Sequence, residues 1–459
     1  MHKVAVLINR FQWVLLLLAA PFLLFPSVQR RWVLLLVPLL WLLSWLATKK
    51  PLPSTPLNLP LLVLLLMLLV SLYATYDIEV SLPKISGLIL GVGMFYALIQ
   101  AIRSGRGIQL ALILYFFMSM AISVVSFFGL RQVQKFTFLQ PMIDRLPQSL
   151  INLPGAEGGF HPNEVAGTLL WILPIILILF CWLIIKRKRI FQDISRPLYV
   201  VVIALLFLSI IFTVTVFILT QSRTAFIALF LSLLLLPLLL LPEKVRIPGA
   251  VTLMILLGIF GWLAWQQNWL QWLYEVTTPG GTQASFLTFN SRIDYWEKAL
   301  TLIGSFPFTG IGMNTFRFIS SDLYPFFTTP NLVDIGHAHN EFLQVALDLG
   351  IPGLIAFLSI NFVTFNMLYD IWNKAGGRRF SRNATGLDLI LLSSSGIKAL
   401  VLGIGLSLIA HALFGMIDAI ALGAKPGILF WMLLGLAAGL HTLVCGGVII
   451  QRQTIKHES

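Results

Sequence analysis

The sequence predicts an all-α polytopic membrane protein with about 12 transmembrane helices and a large external helical loop. Three observations predict it. Of 459 residues, 58% are hydrophobic and 11% are charged, whereas soluble domains carry about 25% charged residues. Apolar runs of the length needed to cross a bilayer, about 20 residues, recur along the chain. The net charge of +13, from 31 Lys+Arg against 18 Asp+Glu, sorts by side once those runs are placed. Composition thus excludes a soluble enzyme and a disordered chain. It also removes nucleic acid as the reason for the basic charge.

The spans are read in order as 5–25, 32–47, 57–75, 83–102, 108–130, 164–185, 198–219, 224–241, 249–267, 350–371, 389–417 and 427–449. The first run, Phe11 to Phe25, passes Ala19 and Ala20 without a polar stop or a cleavage site, so it reads as a retained helix rather than a signal peptide. The second is short. The eleventh is long and holds Lys398 at its middle, with an alternative division into an interfacial stretch 387–397 and a span from Ala399 to Ile417. Cys181 and Cys445 lie in apolar runs and do not indicate a disulfide framework.

Placing the N-terminus in the cytoplasm puts 19 basic residues inside and 11 outside, with 13 acids outside and 5 inside. This bias predicts cytoplasmic N- and C-termini in a multi-pass membrane protein. Arg30 and Arg31 run against the rule and make the first hairpin its weakest part. The organisation is then 1–267 with nine helices, 268–349 as an external catalytic loop with amphipathic helices, and 350–459 with three helices and a cytoplasmic tail. A loop of that length is expected to contain its own elements.

Within the loop, Ser291-Arg292-Ile293-Asp294 has the form of a capping box, followed by Trp296, Leu300 and Ile303 at helical spacing. A helix from about Arg292 to Gly304 is expected, with Arg292 in its first turn as an anion ligand or as part of a surface helix lying on the membrane. Next comes Gly336-His337-Ala338-His339-Asn340-Glu341, then a helical face from Phe342 to Leu349 closed by Gly350 and Pro352. His339 lies at or before a helix start, where a neutral imidazole can accept a proton, and Asn340 is a cap. His337 and His339 as metal ligands are the weaker reading, because no third ligand is evident in the sequence. A cap or loop hydrogen bond is the plain structural alternative.

Thr220-Gln221-Ser222-Arg223 joins two spans with almost no loop and holds Arg223 at the outer boundary. An arginine there is costly unless paired or in a polar cavity, or unless it snorkels to head groups. Gly158-Gly159-Phe160-His161-Pro162-Asn163-Glu164 precedes the sixth span and puts His161 and Asn163 at the surface, with Asn163 also readable as a helix cap. Arg223, Arg292 and Arg317 thus fall outside with His161 and His339. Guanidinium forks suit a diphosphate, so the combination suggests transfer from a lipid-linked phosphate donor.

These features resemble the O-antigen ligase/polymerase superfamily. The ligase pattern is His-(Asn/Ser/Gln), nine residues, Gly, two residues, then Gly, Thr or Tyr. Here it is met by His339-Asn340, residues 341–349, Gly350, Ile351-Pro352 and Gly353. Supporting elements are Ser222-Arg223, Ser291-Arg292 with Trp296, Gly310-Ile311-Gly312 and the turn at Phe160-His161-Pro162-Asn163, whose His departs from the family's usual turn. The resemblance covers roughly residues 76–440. It implies a GT-C-like, metal-independent, inverting glycosyltransferase without a cofactor, of the ligase type that contributes to lipopolysaccharide. Its donor would be a glycan on a polyprenyl diphosphate such as undecaprenyl diphosphate, and its acceptor a lipid or glycan hydroxyl.

By that resemblance Arg223 and Arg292 stabilise the departing diphosphate and His339 orients or deprotonates the acceptor. Asn340, His161, Asn163 and Arg317 are substrate-binding. The alternatives are a polymerase, which differs in acceptor, and a transporter of a solute such as inorganic carbon. Against the transporter stands the lack of repeated halves or matched broken helices. A third is a metal-dependent transferase using Asp77-Ile78-Glu79, which reads instead as a surface turn.

Overall fold

The computed structural model describes residues 12–24, 28–49, 52–102, 105–133, 135–153, 156–188, 190, 195–267, 282–322, 336–375, 391–420 and 422–446. The start of the first predicted span, parts of the 268–349 loop, the first four residues of the interfacial stretch proposed before Lys398 and the C-terminal tail lie outside these residues.

The protein is an all-α polytopic membrane protein. In chain order the helices are α1 (Gln12–Leu24), α2 (Leu36–Thr48) after a 3-10 turn at Val28–Leu35, α3 (Asn58–Ala74), α4 (Ile78–Ala101) and α5 (Gly105–Gly129). Then come α6 (Gln140–Ile143), α7 (Pro162–Ile185), α8 (Arg196–Leu219), α9 (Arg223–Leu240) and α10 (Glu243–Gln266). The loop supplies α11 (Thr282–Ser305) and α12 (Phe316–Asp322), and α13 (Glu341–Lys374), α14 (Ser394–Gly415) and α15 (Ile428–Cys445) complete the chain. A two-residue antiparallel pair, Asn152–Leu153 with Ala156–Glu157, braces the segment before α7. Among the described residues nine helices are long and apolar enough to cross a membrane, with shorter apolar helices at Trp32–Leu46 and Asn58–Ala74.

Two layers differ in packing. Helices α4, α7, α13, α14 and α15 form the core, where α14 lies along α7 and α15 along α4. Small residues let these backbones approach. A methyl group on Gly91 would strike the Trp431 ring, and one on Gly167 would strike Phe414. Helices α8, α9 and α10 present most of their apolar surface outward, as expected of helices solvated by lipid. Lys398 sits in the second turn of α14 rather than at its middle, its ammonium 4.8 Å from the Trp372 ring centroid.

One loop expectation is corrected, and the expected stop at Gly350 is present. The Ser291-Asp294 sequence is not a helix start, because α11 already begins at Thr282 and runs through it. Arg292 therefore reaches the site from the interior of a helix. The loop's final helix and the tenth span are two parts of α13, broken at Gly350, whose backbone is left-handed in φ (71°). A Cβ there would lie 2.5 Å from the Phe308 carbonyl oxygen, so both space and backbone require glycine. Asp77 caps α4 by accepting from the Glu79 N–H at 2.8 Å, in keeping with a plain turn.

Candidate functional site

The site lies where the N-terminal ends of α7, α9 and α13 and the C-terminal end of α14 meet α11 and the segment before α6. Its centre is Asp418, three residues beyond α14 and 1% exposed. Oδ1 faces His339 Nδ1 at 3.1 Å and accepts from the Ala419 N–H at 2.9 Å. Oδ2 accepts from Asn163 Nδ2 at 2.6 Å and from an Arg292 Nη at 3.5 Å. Burial pushes this carboxyl upward. The His339 hydrogen bond and the charges of His339, His337 and Arg292 outweigh it and hold Asp418 well below the usual carboxylate range.

His339 is oriented from every side. An ionised Asp418 can only accept, so it assigns the imidazole proton to Nδ1 and leaves Nε2 with its lone pair free for chemistry. The ring stacks on Tyr295 (5.6 Å between centroids, 24°) and leans on His337 (4.4 Å). Its carbonyl accepts from Trp296 Nε1 at 3.3 Å, and its own φ of 49° is left-handed, a sparsely populated state at a candidate site. Burial and the neighbouring His339 pull His337 down to about 3, so His337 is a neutral neighbour.

The turn that presents His339 is stitched to α13. Asn340 caps the helix, its Oδ1 accepting from the Leu343 N–H at 3.0 Å, while its Nδ2 donates to the Met416 carbonyl at 2.9 Å. Gln344 accepts from the Ala338 N–H at 2.9 Å and donates to Asp348 Oδ1 at 2.8 Å, which also accepts from the Asn314 N–H at 3.3 Å. Asn340 is thereby engaged through both polar atoms of its amide.

At the start of α7 the cap is His161, whose Nδ1 accepts from the Asn163 N–H at 3.3 Å; the sequence had pointed to Asn163. The Asn163 side chain instead bridges Asp418 and the Lys135 ammonium, which donates to its Oδ1 at 3.2 Å. Arg223 is the first residue of α9 and lies over the Phe136 ring at 5.6 Å. Arg317, on α12, brings its guanidinium against Gly336, where an added Cβ would lie 3.0 Å from it. The structure thus gathers His339, Arg292, Asn163, His161 and Arg223 about Asp418 and Lys135, with Asn340 and Arg317 on the flanks.

His337, His339 and Asp418 each offer a ligand atom within 4.8 Å of the others. Asp418 is a third candidate ligand that the sequence did not show. Asn163, His339, Arg292 and the Ala419 N–H all bond to Asp418, so a cation there would have to compete with these donors and with the nearby lysine and arginines.

Residues 208–358 match the family model described as O-antigen ligase. Over these residues the chain is similar to that family. No curated protein matches the chain. The match covers about a third of the chain and includes Arg223, Arg292, Arg317, His337, His339 and Asn340. It supports a membrane glycosyltransferase of the O-antigen ligase/polymerase type. Asp418, Lys135, His161 and Asn163 fall outside the matched residues and are joined to them by the fold. Sequence reasoning had passed over Asp418 and Lys135. The one available signal for Asp418 was a lone carboxylate between apolar Met416-Ile417 and Ala419-Ile420.

Proposed function

We propose that the protein transfers a glycan from a polyprenyl diphosphate to an acceptor hydroxyl at the external face of a bacterial plasma membrane, as an O-antigen ligase-type enzyme with both termini cytoplasmic. The observation that carries the reading is the His339–Asp418 pair set beside Arg292 and Arg223. His339 Nε2 takes the proton of the acceptor hydroxyl as its oxygen attacks the anomeric carbon. Asp418 stabilises the imidazolium that forms. The bond from that carbon to the diphosphate oxygen breaks, and the diphosphate leaves with the bonding electrons. One displacement inverts the anomeric centre. The arginines meet the negative charge on the leaving group, which is the role a divalent cation would otherwise fill.

The test uses purified protein in nanodiscs, a defined lipid-diphosphate glycan and candidate acceptors, with and without EDTA. Transfer is expected to persist in EDTA. His339→Ala is expected to lose about 10²–10⁴ in kcat, and Arg223→Ala or Arg292→Ala about 10²–10³. Normal transfer by all three variants would overturn the reading. A lipid or lipid-core acceptor is expected over a second lipid-linked glycan, and the reverse preference would make the protein a polymerase.

A further inference from the structure

We propose that Lys135 is a third cationic ligand of the lipid diphosphate, and that Gln221 is the positioning residue that holds it there. This rests on the diphosphate reading above.

The inference starts from an amide with an unusual occupation. Gln221 stands at the corner between α8 and α9, 1% exposed and with a left-handed φ of 51°. Its Oε1 accepts from the Lys135 N–H at 3.0 Å and the Phe136 N–H at 2.5 Å, and its Nε2 donates to the Val133 carbonyl at 2.6 Å. A side-chain amide offers two donors and two acceptor lone pairs, so three of four are spent on one short stretch of loop more than 80 residues away in sequence. Few other side chains can both accept twice and donate. The corner that carries Arg223 therefore also fixes residues 133–136.

That loop delivers two things. Phe136 lies beneath Arg223 and stacks on Phe226 of α9. Lys135 points its ammonium at Asn163 Oδ1, within reach of the charges of Asp418, Arg223 and Arg292. Among the described residues, Lys135, Arg223 and Arg292 thus gather near Asp418. An anion bound among them would relieve the repulsion between these cations. Consistently, burial, reinforced by both arginines and opposed by Asp418, pulls the lysine down to about 8. When a glycosyl diphosphate loses its sugar, the diphosphate gains one negative charge. Arg223 and Arg292 balance two of the negative charges on the leaving group, and Lys135 adds a third cation for the charge that is gained. Its effect is expected on kcat and on affinity for the free diphosphate more than on KM for the donor.

The experiment measures binding of farnesyl diphosphate and farnesyl monophosphate to the full-length protein in nanodiscs, beside kcat and KM. Lys135→Met is expected to weaken diphosphate binding about tenfold while changing monophosphate binding much less, and Lys135→Arg to restore most of it. Gln221→Ala is expected to weaken diphosphate binding in the same way, yet to add nothing in the Lys135→Met background. Unchanged diphosphate binding by Lys135→Met overturns the proposal. So does a Gln221→Ala effect of equal size in both backgrounds, since that would be general disruption of the corner. If Arg223→Ala and Arg292→Ala weaken diphosphate binding while Lys135→Met does not, this inference alone fails. If none of the three variants does so, the diphosphate reading fails with it.

Discussion

Two histidine–carboxylate pairs link the same two segments of this protein. His339 faces Asp418 at 3.1 Å, and Glu341 faces His411 at 3.0 Å. Each pair joins the start of α13 to the end of α14, with the histidine and the carboxylate exchanged. The outer pair keeps 23% of the His339 side chain exposed and has Arg292 on the far side of the carboxylate. In the inner pair both side chains are no more than 6% exposed. The His411 ring stacks on Trp171 at 4.1 Å, and its Nδ1 faces the Gly167 carbonyl at 3.3 Å. One chemistry thus occurs twice, and the surroundings divide the labour. The pair with a free imidazole nitrogen in a cationic pocket can move a proton to or from a substrate. The pair sealed among α7, α13 and α14 fixes the three helices whose ends carry Asn163, His339 and Asp418.

The largest expected effect lies on the outer pair. His339→Ala is expected to lower kcat by about 10²–10⁴ with a small change in thermal unfolding. Asp418→Asn removes the charge that sets the imidazole tautomer while leaving side-chain volume nearly constant. It is expected to fall in the same range, measured as turnover of a lipid-diphosphate glycan. A variant of Asp418 with full kcat would break the comparison, because the outer pair would then be as structural as the inner one.

The inner pair is expected to fail differently. Glu341→Leu or His411→Leu leaves one buried polar partner without its counterpart, a loss of about 3–5 kcal/mol in stability. The double Leu variant is expected to recover much of it, since well-packed apolar replacements of both partners of a buried pair are often tolerated. Gly415→Ala is expected to destabilise through the same contact, because its methyl group would lie 2.6 Å from Glu341 Oε2. Unfolding midpoints in detergent measure all of these, and kcat of the folded fraction is expected to stay near that of the wild type. The comparison collapses if Glu341→Gln lowers kcat as far as His339→Ala without moving the midpoint.

The two pairs also mark what was legible in the sequence. Spans were legible because lipid imposes a local rule, about 20 apolar residues, and the described residues of each predicted span fall mainly on a helix. The His339-Asn340 helix start and the stop at Gly350 were legible for the same reason, since caps and left-handed glycines act within a few residues. The supposed helix start at Ser291 failed because a capping pattern is only permissive, and nothing from Thr282 to Asn290 breaks a helix. Asp418 and Lys135 were not legible. Asp418 lies 79 residues from His339 and 255 from Asn163, and Lys135 lies 86 from Gln221, so only the packing of distant helices and corners brings them together.

The smallest expected effect concerns pH, and it sharpens the distinction within the outer site itself. His337 is drawn down to about 3, first by burial and then by His339, with Asp418 opposing. His161 keeps an exposed edge, yet the protein packed about it and the charges of Lys135, His339 and Arg131 bring it to about 4 against the pull of Asp418. Both depart from an ordinary value near 6.5. Below about 6.5 the unfolded chain therefore binds protons that the folded chain does not, and stability falls as pH drops from there toward 4. The sign is set by the lowered folded-state values: no loss is expected on going upward from pH 7 to 8. Unfolding midpoints between pH 4 and 8 are expected to show this slope, and His337→Asn to flatten it by removing one titrating group while keeping a side-chain acceptor for the His339 N–H. His161→Asn is expected to flatten it further, since asparagine also caps a helix. In neither variant should the pH dependence of kcat between 6 and 8 change, because both histidines are already neutral there. A shift of that profile in His337→Asn would mean that proton transfer is shared along the His337–His339 contact, and the outer pair would have to be redrawn as a triad.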